Sequence, residues 1–210
     1  MADKLVFYTN PMSRGRVARW MLEEVGAEYE TVLLGYADTM KGAEYLAINP
    51  MGKVPAIAHH GKVVTECAAI CAYLADVFPD AGLAPETLAE RADYYRWLFF
   101  AAGPLEQAVT NNHAGFMPSA EQGRTFGYGS YEQAVDTLEK AVSAHRHIAG
   151  DRFTAADVYV GSALMWGTQF GTLPKRNVFL DYIGRLAARD AYIRANEMDD
   201  ALMPTQAPAA

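Results

Sequence analysis

Two stretches of this chain bring together groups that could do chemistry. The first is Tyr8-Thr9-Asn10-Pro11-Met12-Ser13-Arg14-Gly15-Arg16. It offers two hydroxyl donors, Tyr8 and Ser13. Ser13 is also a natural N-cap for the helix that the following apolar spacing predicts. Arg14 and Arg16 then fall in the first turn of that helix, where acidic residues are preferred. Two cations at the positive end of a helix make sense if an anion binds there. The alternative is that both guanidinium groups swing into solvent or meet carboxylates elsewhere.

The second stretch spans residues 49–74, NPMGKVPAIAHHGKVVTECAAICAYL. Pro55 has no N–H to give a ladder, and X-Pro is the one peptide bond that reaches cis cheaply. A cis bond there turns the backbone of Val54 outward, leaving its N–H and C=O for an extended guest. A few residues on, Thr65 reads as an N-cap. The turn after it, at Glu66-Cys67, offers backbone N–H groups that suit a carboxylate. One surface could thus take a peptide's backbone at Val54 and an acidic end at Glu66-Cys67. An ordinary hairpin followed by a capped helix is the plain alternative.

These residues need elements to position them. Residues 4–8 read as a buried strand, 13–25 as a helix closed by Gly26, and 28–34 as a second strand. The hairpin and helix of the second stretch complete a β-α-β-loop-β-β-α order, an α/β unit with an antiparallel edge. Residues 79–85, with two prolines and a glycine, read as a linker. Beyond it the β pattern disappears, and helices are expected over about 86–115, 119–149, 154–167 and 177–197. The division expected is therefore 1–78, linker 79–85, an all-α domain 86–203 and a disordered tail 204–210. Within the second domain, Thr154 and Asp157 are spaced as a capping box and Phe153 and Val158 as a hydrophobic staple, a device that fixes a helix start.

Composition narrows the class. The chain has 210 residues, 51% hydrophobic and 20% charged, with a net charge of −7. That acidity argues against nucleic acid or an anionic membrane as the main partner. No run is long enough to span a bilayer, and the first residues lack the apolar core of a signal peptide. Cys67 and Cys71, four apart, form neither a C-x-x-C pair nor a disulfide framework. His59-His60 and His145-x-His147 form no metal signature and are expected as solvated surface.

The order of motifs resembles the cytosolic glutathione transferases, in a bacterial, serine-type form, over roughly residues 4–200. Asn49-Pro50-Met51-Gly52-Lys53-Val54-Pro55-Ala56-Ile57 is similar to the family's N-P-x-G-x-V-P-x-L. Glu66-Cys67-Ala68-Ala69-Ile70 is similar to E-S-x-A-I, with Cys67 where serine is common. Phe153-Thr154-Ala155-Ala156-Asp157 matches F-S/T-x-A-D. The resemblance implies a thioredoxin-like N-terminal domain, an all-helical C-terminal domain, a cytoplasmic location, no metal and usually a homodimer. It also implies glutathione along a cis Val54-Pro55 edge, with its γ-glutamyl carboxylate at Glu66 and Cys67. Lys41 and Lys53 fall where the family meets the glycyl carboxylate; solvated surface lysine is the alternative for each.

The chemistry implied is attack by the glutathione thiolate on a small hydrophobic electrophile. A thiol of pKa ~8.5 needs ~2.7 kcal/mol of thiolate stabilisation to fall two units. A hydroxyl hydrogen bond to a charged acceptor supplies ~1.5–3 kcal/mol and a helix N-terminus ~0.3–1. Family members use Tyr, Ser or Cys near this point; Ser13 is favoured as the donor, with Tyr8 the other candidate and Arg14 and Arg16 as the thiolate's surroundings. The electrophile site is expected to be apolar and interdomain, with Trp97, Phe100, His113, Phe116 and Trp166 as candidates, although most aromatic residues at helical spacing are simply core. Peroxide reduction, dehalogenation, isomerisation and non-catalytic ligand binding remain open alternatives.

Overall fold

The computed structural model describes residues 4–203. The tail 204–210 lies outside them. β1 (Leu5–Thr9) leads through a loop into α1 (Gly15–Val25), then β2 (Tyr29–Leu33), a short α2 (Ala43–Leu46), the hairpin β3 (Ala56–His59) and β4 (Lys62–Thr65), and α3 (Cys67–Val77). The sheet order is β2-β1-β3-β4. β1 runs parallel to β2 and antiparallel to β3, which pairs antiparallel with β4. This is the thioredoxin-like arrangement expected: a helix crossover for the parallel pair, and a turn at His60-Gly61 for the hairpin.

The alternation of β1 decides which face each residue serves. Phe7 is fully buried and lies under the Arg19 guanidinium of α1, 5.1 Å from the ring centroid. Tyr8 takes the opposite face and packs with Val32, Ile48 and Val54 on a core of Leu34, Met40, Tyr45 and Ala56. Burial on both faces fixes the register, because a one-residue slip would exchange the two sets.

The remaining helices are α4 (Leu88–Phe100), α5 (Glu106–His113), α6 (Tyr131–Ala144), α7 (Ala155–Phe170), α8 (Asn177–Ala187) and α9 (Asp190–Asp200). The expected helix 86–115 runs on, but through a π turn, Ala101–Leu105, around Pro104, which has no N–H for the α ladder. Two expectations differ from what is found. Residues 119–130 are irregular apart from one 3-10 turn, Gln122–Arg124, with a left-handed Gly129 (φ 68°) before α6. Residues 177–197 form two helices, because Arg189 is extended (φ −76°, ψ 135°) and caps α9.

The described residues divide into two compact units: those up to Ala81 together with those from Arg189 onward, and Gly82–Ala188. α9 thus groups with the sheet. Its partner there is α1, to which it is tied by a buried ion pair, Arg19 Nε to Asp199 Oδ1 at 2.8 Å. Arg189 adds a bidentate pair with Glu24 at 2.6 and 2.7 Å. The ring of Tyr192 meets Trp20 edge-on at 4.9 Å.

In the second unit α7 starts where the sequence predicts. A capping box closes between Thr154 and Asp157, whose carboxylate also accepts the Ile148 N–H at 2.8 Å and the Tyr182 hydroxyl at 2.6 Å. His147 lies 3.5 Å from the same carboxylate, and His59 is buried with Nδ1 3.0 Å from the Tyr73 hydroxyl. Neither is the solvated histidine expected. His59 occupies an inward position of β3, and His147 sits in the turn that α7's cap folds back on.

Candidate functional site

Two loops of the sheet unit are built by the same device. In Asn10-Pro11-Met12 the Asn side chain accepts the Met12 N–H at 2.9 Å and donates to the Leu34 carbonyl at 2.8 Å. In Asn49-Pro50-Met51 the Asn side chain accepts the Met51 N–H at 3.1 Å and donates to the Lys53 carbonyl at 2.7 Å. Each is an Asx turn closed over a proline, its amide pinning a neighbouring segment. Asn10, Asn49 and Tyr45 were given no role from the sequence, although Asn49 opens the N-P-x-G-x-V-P motif. The Asn-Pro pairs were the signal that could have found the first two.

The first loop carries Ser13. Its hydroxyl is buried, donates to the Asn10 carbonyl at 2.7 Å and accepts the Gly15 N–H at 2.9 Å. Ser13 is therefore one residue outside the N-cap position, which Arg14 holds. An added Cβ at Gly15 would stand 1.9 Å from Thr9 Oγ1, so any larger residue there would force the buried Thr9 hydroxyl to move. Arg14 is exposed. Arg16 is committed within the protein: its guanidinium meets Pro11, Asn196 and Asp200. Tyr8 is half-buried, its ring 5.7 Å from that of Tyr45.

The second loop carries Lys53, Val54 and Pro55. The Val54-Pro55 bond is cis. The Lys53 carbonyl is held twice, by Asn49 and by the Tyr45 hydroxyl at 2.6 Å. Burial raises the Tyr45 hydroxyl above its ordinary pKa, so it stays a donor. Among the described residues, no backbone hydrogen bond outside the helices and ladders uses the N–H or C=O of Val54. Lys41 reaches the same loop from the turn before α2, its ammonium 2.5 Å from the Gly52 carbonyl. Lys41 and Lys53 are both exposed.

At the start of α3, Glu66 rather than Thr65 is the N-cap, with φ 66° and ψ 119°. A non-glycine residue there is strained by about 1–3 kcal/mol, a cost that tends to be found at ligand clamps. The first bond of the helical ladder runs from the Ile70 N–H to the Glu66 carbonyl at 2.9 Å, so the preceding N–H groups lie outside it. Cys67 places its Sγ 3.6 Å from the Arg14 carbonyl. That contact brings the Ser13 loop and the start of α3 together. Cys71, one turn on, is fully buried, and burial pushes its thiol well above the ordinary value.

The aromatic candidates of the helical unit form three separate ring pairs. Trp97 and Phe100 meet edge-on at 5.5 Å, Phe116 and Phe126 at 5.7 Å, and Trp166 and Phe170 at 5.7 Å. Trp97 is buried with the Arg96 guanidinium over its ring at 4.4 Å, a core placement. His113 is exposed at the end of α5. Among the described residues no cluster of His, Cys, Asp and Glu could hold a metal, and no helix is long and apolar enough to cross a membrane.

Comparison with known proteins bears on this geometry. The family model "Glutathione S-transferase, N-terminal domain" matches residues 4–76. The chain is 33% identical over 157 residues to glutathione S-transferase GstA of Escherichia coli O157:H7, covering 69% of this chain and 73% of that one. It is 33% identical over 149 residues to glutathione S-transferase GST-4.5 of Xanthomonas campestris pv. campestris, covering 64% and 69%. The solved structure of a sphingomonad glutathione S-transferase complexed with glutathione aligns with a TM-score of 0.75 at 29% identity, over 93% of this chain and 98% of that one.

Proposed function

The chain belongs to the glutathione S-transferase family and is an enzyme of that family, and from that premise we propose that it activates glutathione as the thiolate at Ser13 for attack on small hydrophobic electrophiles. The observation that carries the proposal is the meeting of the Ser13 loop with the first turn of α3 through Cys67 and Arg14. A hydroxyl donor and a helix start suited to an anion then lie in one corner of the sheet unit.

Glutathione is laid along Val54-Pro55, its backbone pairing with the Val54 N–H and C=O. Its γ-glutamyl carboxylate takes the helix start at Glu66 and Cys67. Its glycyl carboxylate meets Lys41 and Lys53, which flank the Gly52–Lys53 peptide. The Ser13 hydroxyl donates to the sulfur and cannot serve as a base; the thiol proton leaves to solvent. The sulfur's electron pair then forms the S–C bond as the electrophile's leaving group departs with its own pair or, for an isothiocyanate, as the C=N π pair moves to nitrogen and takes a proton from solvent. Arg14 contributes positive field. Tyr8 is the second choice of donor, since its ring is committed to the core beside Tyr45. Phe100, Phe116 and Trp166 are the better aromatic candidates for the electrophile, and His113 is a further one; Trp97 supports from the core.

A cytoplasmic role in detoxification and a homodimer complete the proposal. Leu88, Tyr95 and Phe99, 86%, 40% and 72% exposed, form an apolar stripe on α4 of a kind that surface helices normally bury. A second copy of the chain is the proposed cover.

The test is a turnover panel with glutathione and, in turn, a halonitroarene, an organic peroxide and an isothiocyanate. Conjugation of the first or third supports the proposal. Turnover of the peroxide alone makes the chain a reductase. No turnover, with tight retention of a hydrophobic ligand, makes it a carrier.

A further inference from the structure

Arg16 is held by acceptors of the protein itself. Its Nε donates to the Pro11 carbonyl at 2.6 Å, Nη1 to Asn196 Oδ1 at 3.2 Å and Nη2 to Asp200 Oδ1 at 2.7 Å. The first acceptor belongs to the loop that carries Ser13, and the other two to the last turns of α9. A guanidinium is a rigid planar fork, so two acceptors on one side fix the direction in which Nε points. α9 is itself anchored on α1 by the buried Arg19–Asp199 pair and by Arg189 on Glu24.

We propose that α9 sets the position of the Ser13 hydroxyl through Arg16. Asn196 and Asp200 hold the guanidinium, and the guanidinium holds the Pro11 carbonyl. The turn from Asn10 to Gly15 is thereby held with Ser13 towards the sulfur. Arg16, Asn196 and Asp200 are positioning residues, the last two separated from the loop by most of the chain's length. The inference rests on the serine reading above.

Positioning and simple charge move the thiol's pKa in opposite directions. Removing the Asp200 carboxylate removes a negative charge near a thiolate, and by field alone the thiol's pKa falls. If the carboxylate instead steadies the loop, its loss weakens the serine hydrogen bond and the pKa rises. Arg16→Lys keeps the charge but gathers its donors on one nitrogen in place of a planar fork that spans the Pro11 carbonyl and α9, so it should act in the same direction as Asp200→Ala.

The experiment is ultraviolet titration of the bound thiolate, with steady-state kinetics, in the unmodified protein, Asp200→Ala, Arg16→Lys, Ser13→Ala and the Asp200→Ala/Ser13→Ala double variant. The expected result is a raised pKa in Asp200→Ala and Arg16→Lys. Turnover near neutral pH should be roughly three- to tenfold slower, with the KM for glutathione little changed. In the Ser13→Ala background, Asp200→Ala should give no further rise, leaving only the small fall expected from the field. A lowered or unshifted pKa in Asp200→Ala, or an equal rise in both backgrounds, overturns the inference. Should Ser13→Ala itself leave the pKa unshifted, the serine reading falls and takes this one with it. A shift in Ser13→Ala without one in Asp200→Ala removes the role of α9 alone. Asp200 is exposed, so its variant is expected to fold.

Discussion

Ser13 and Asn10 are joined twice across one turn, the Ser13 hydroxyl donating to the Asn10 carbonyl at 2.7 Å and the Ser13 N–H donating to the same oxygen at 3.0 Å. A hydroxyl has one proton, so donating to a thiolate means giving up Asn10. The bond lost is neutral, worth about 0.5–1.5 kcal/mol, and the bond gained is charge-assisted, worth about 1.5–3. The net gain, at most about 2.5 kcal/mol and about 1.3 at the centre of both ranges, corresponds to roughly one pKa unit.

Ser13→Ala should therefore raise the bound thiol's pKa by about a unit. The cost should appear as slower turnover near neutral pH that recovers as pH rises, because hydroxide then makes the thiolate unaided. Glutathione affinity should hold, since other residues take its backbone and carboxylates. Tyr8→Phe should be mild. A pH–rate profile of both variants decides it: no shift in Ser13→Ala with a raised pKa in Tyr8→Phe would make Tyr8 the donor.

Glu66 combines an exposed carboxylate with a strained backbone at the start of α3. Glu66→Ala should weaken glutathione binding by about 1–3 kcal/mol through loss of a charged hydrogen bond from the γ-glutamyl ammonium to the Glu66 carboxylate. Glu66→Gly should weaken it too, yet raise the stability of the free protein, because glycine accepts the positive φ without strain. Calorimetric titration and urea unfolding of both variants provide the check. Unchanged affinity in either places the γ-glutamyl end elsewhere.

Cys67 lies one residue on, its Sγ directed at the Arg14 carbonyl. A serine hydroxyl there can donate to the same carbonyl, so Cys67→Ser should keep most of the activity. Turnover under about a tenth of the original would point to thiol chemistry at this position.

The strands, α1, α3 and the α7 cap were legible because their signals are local: alternation, turn residues and an N-cap spaced from its carboxylate. The break between α8 and α9 was not. Nothing in Ala187-Ala188-Arg189 stops a helix; Arg189 is drawn out by Glu24, 165 positions earlier. Residues 119–130 misled in the opposite way. Gln, Glu and Arg there favour a helix, while Gly123, Gly127 and Gly129 break it. The site divides similarly. Val54-Pro55, Glu66 and Ser13 stand in recognisable local patterns, whereas the partners of Arg16 lie 180 and 184 positions away.

Tyr29 gives the sheet unit a pH dependence of known sign. Burial first, and then its hydrogen bond to Glu23, push its hydroxyl from 10.0 to about 12. Below the unfolded value both states keep the proton and the stabilisation is complete. As pH climbs past it, the unfolded chain ionises while the folded one does not, so stability drains until about pH 12. The side chain is half-buried, so screening limits the loss to about 1–2 kcal/mol. Tyr29→Phe should flatten this alkaline limb in urea unfolding curves. A limb of unchanged slope in the variant would assign it to other groups.

Asp157 should prove far costlier to remove than the threonine it caps with. It is fully buried, and its two oxygens take four donors. Oδ1 accepts from the Ile148 N–H at 2.8 Å and the Tyr182 hydroxyl at 2.6 Å, and Oδ2 from the Thr154 N–H at 2.9 Å and the Thr154 hydroxyl at 3.2 Å. Burial, and then Asp157 itself, push the Tyr182 hydroxyl well above its ordinary value, so that donor is secure. Asp157→Ala orphans several buried donors at about 1–3 kcal/mol each, and a total of about 3–5 kcal/mol is expected after partial relaxation. Thr154→Ala loses only a cap, about 1 kcal/mol. Tyr182→Phe removes one charged hydrogen bond and leaves the carboxylate three donors, so it should fall between the two. Urea unfolding of the three variants tests the order. If Asp157→Ala costs no more than Thr154→Ala, water has replaced the carboxylate and the cluster is not what holds the start of α7.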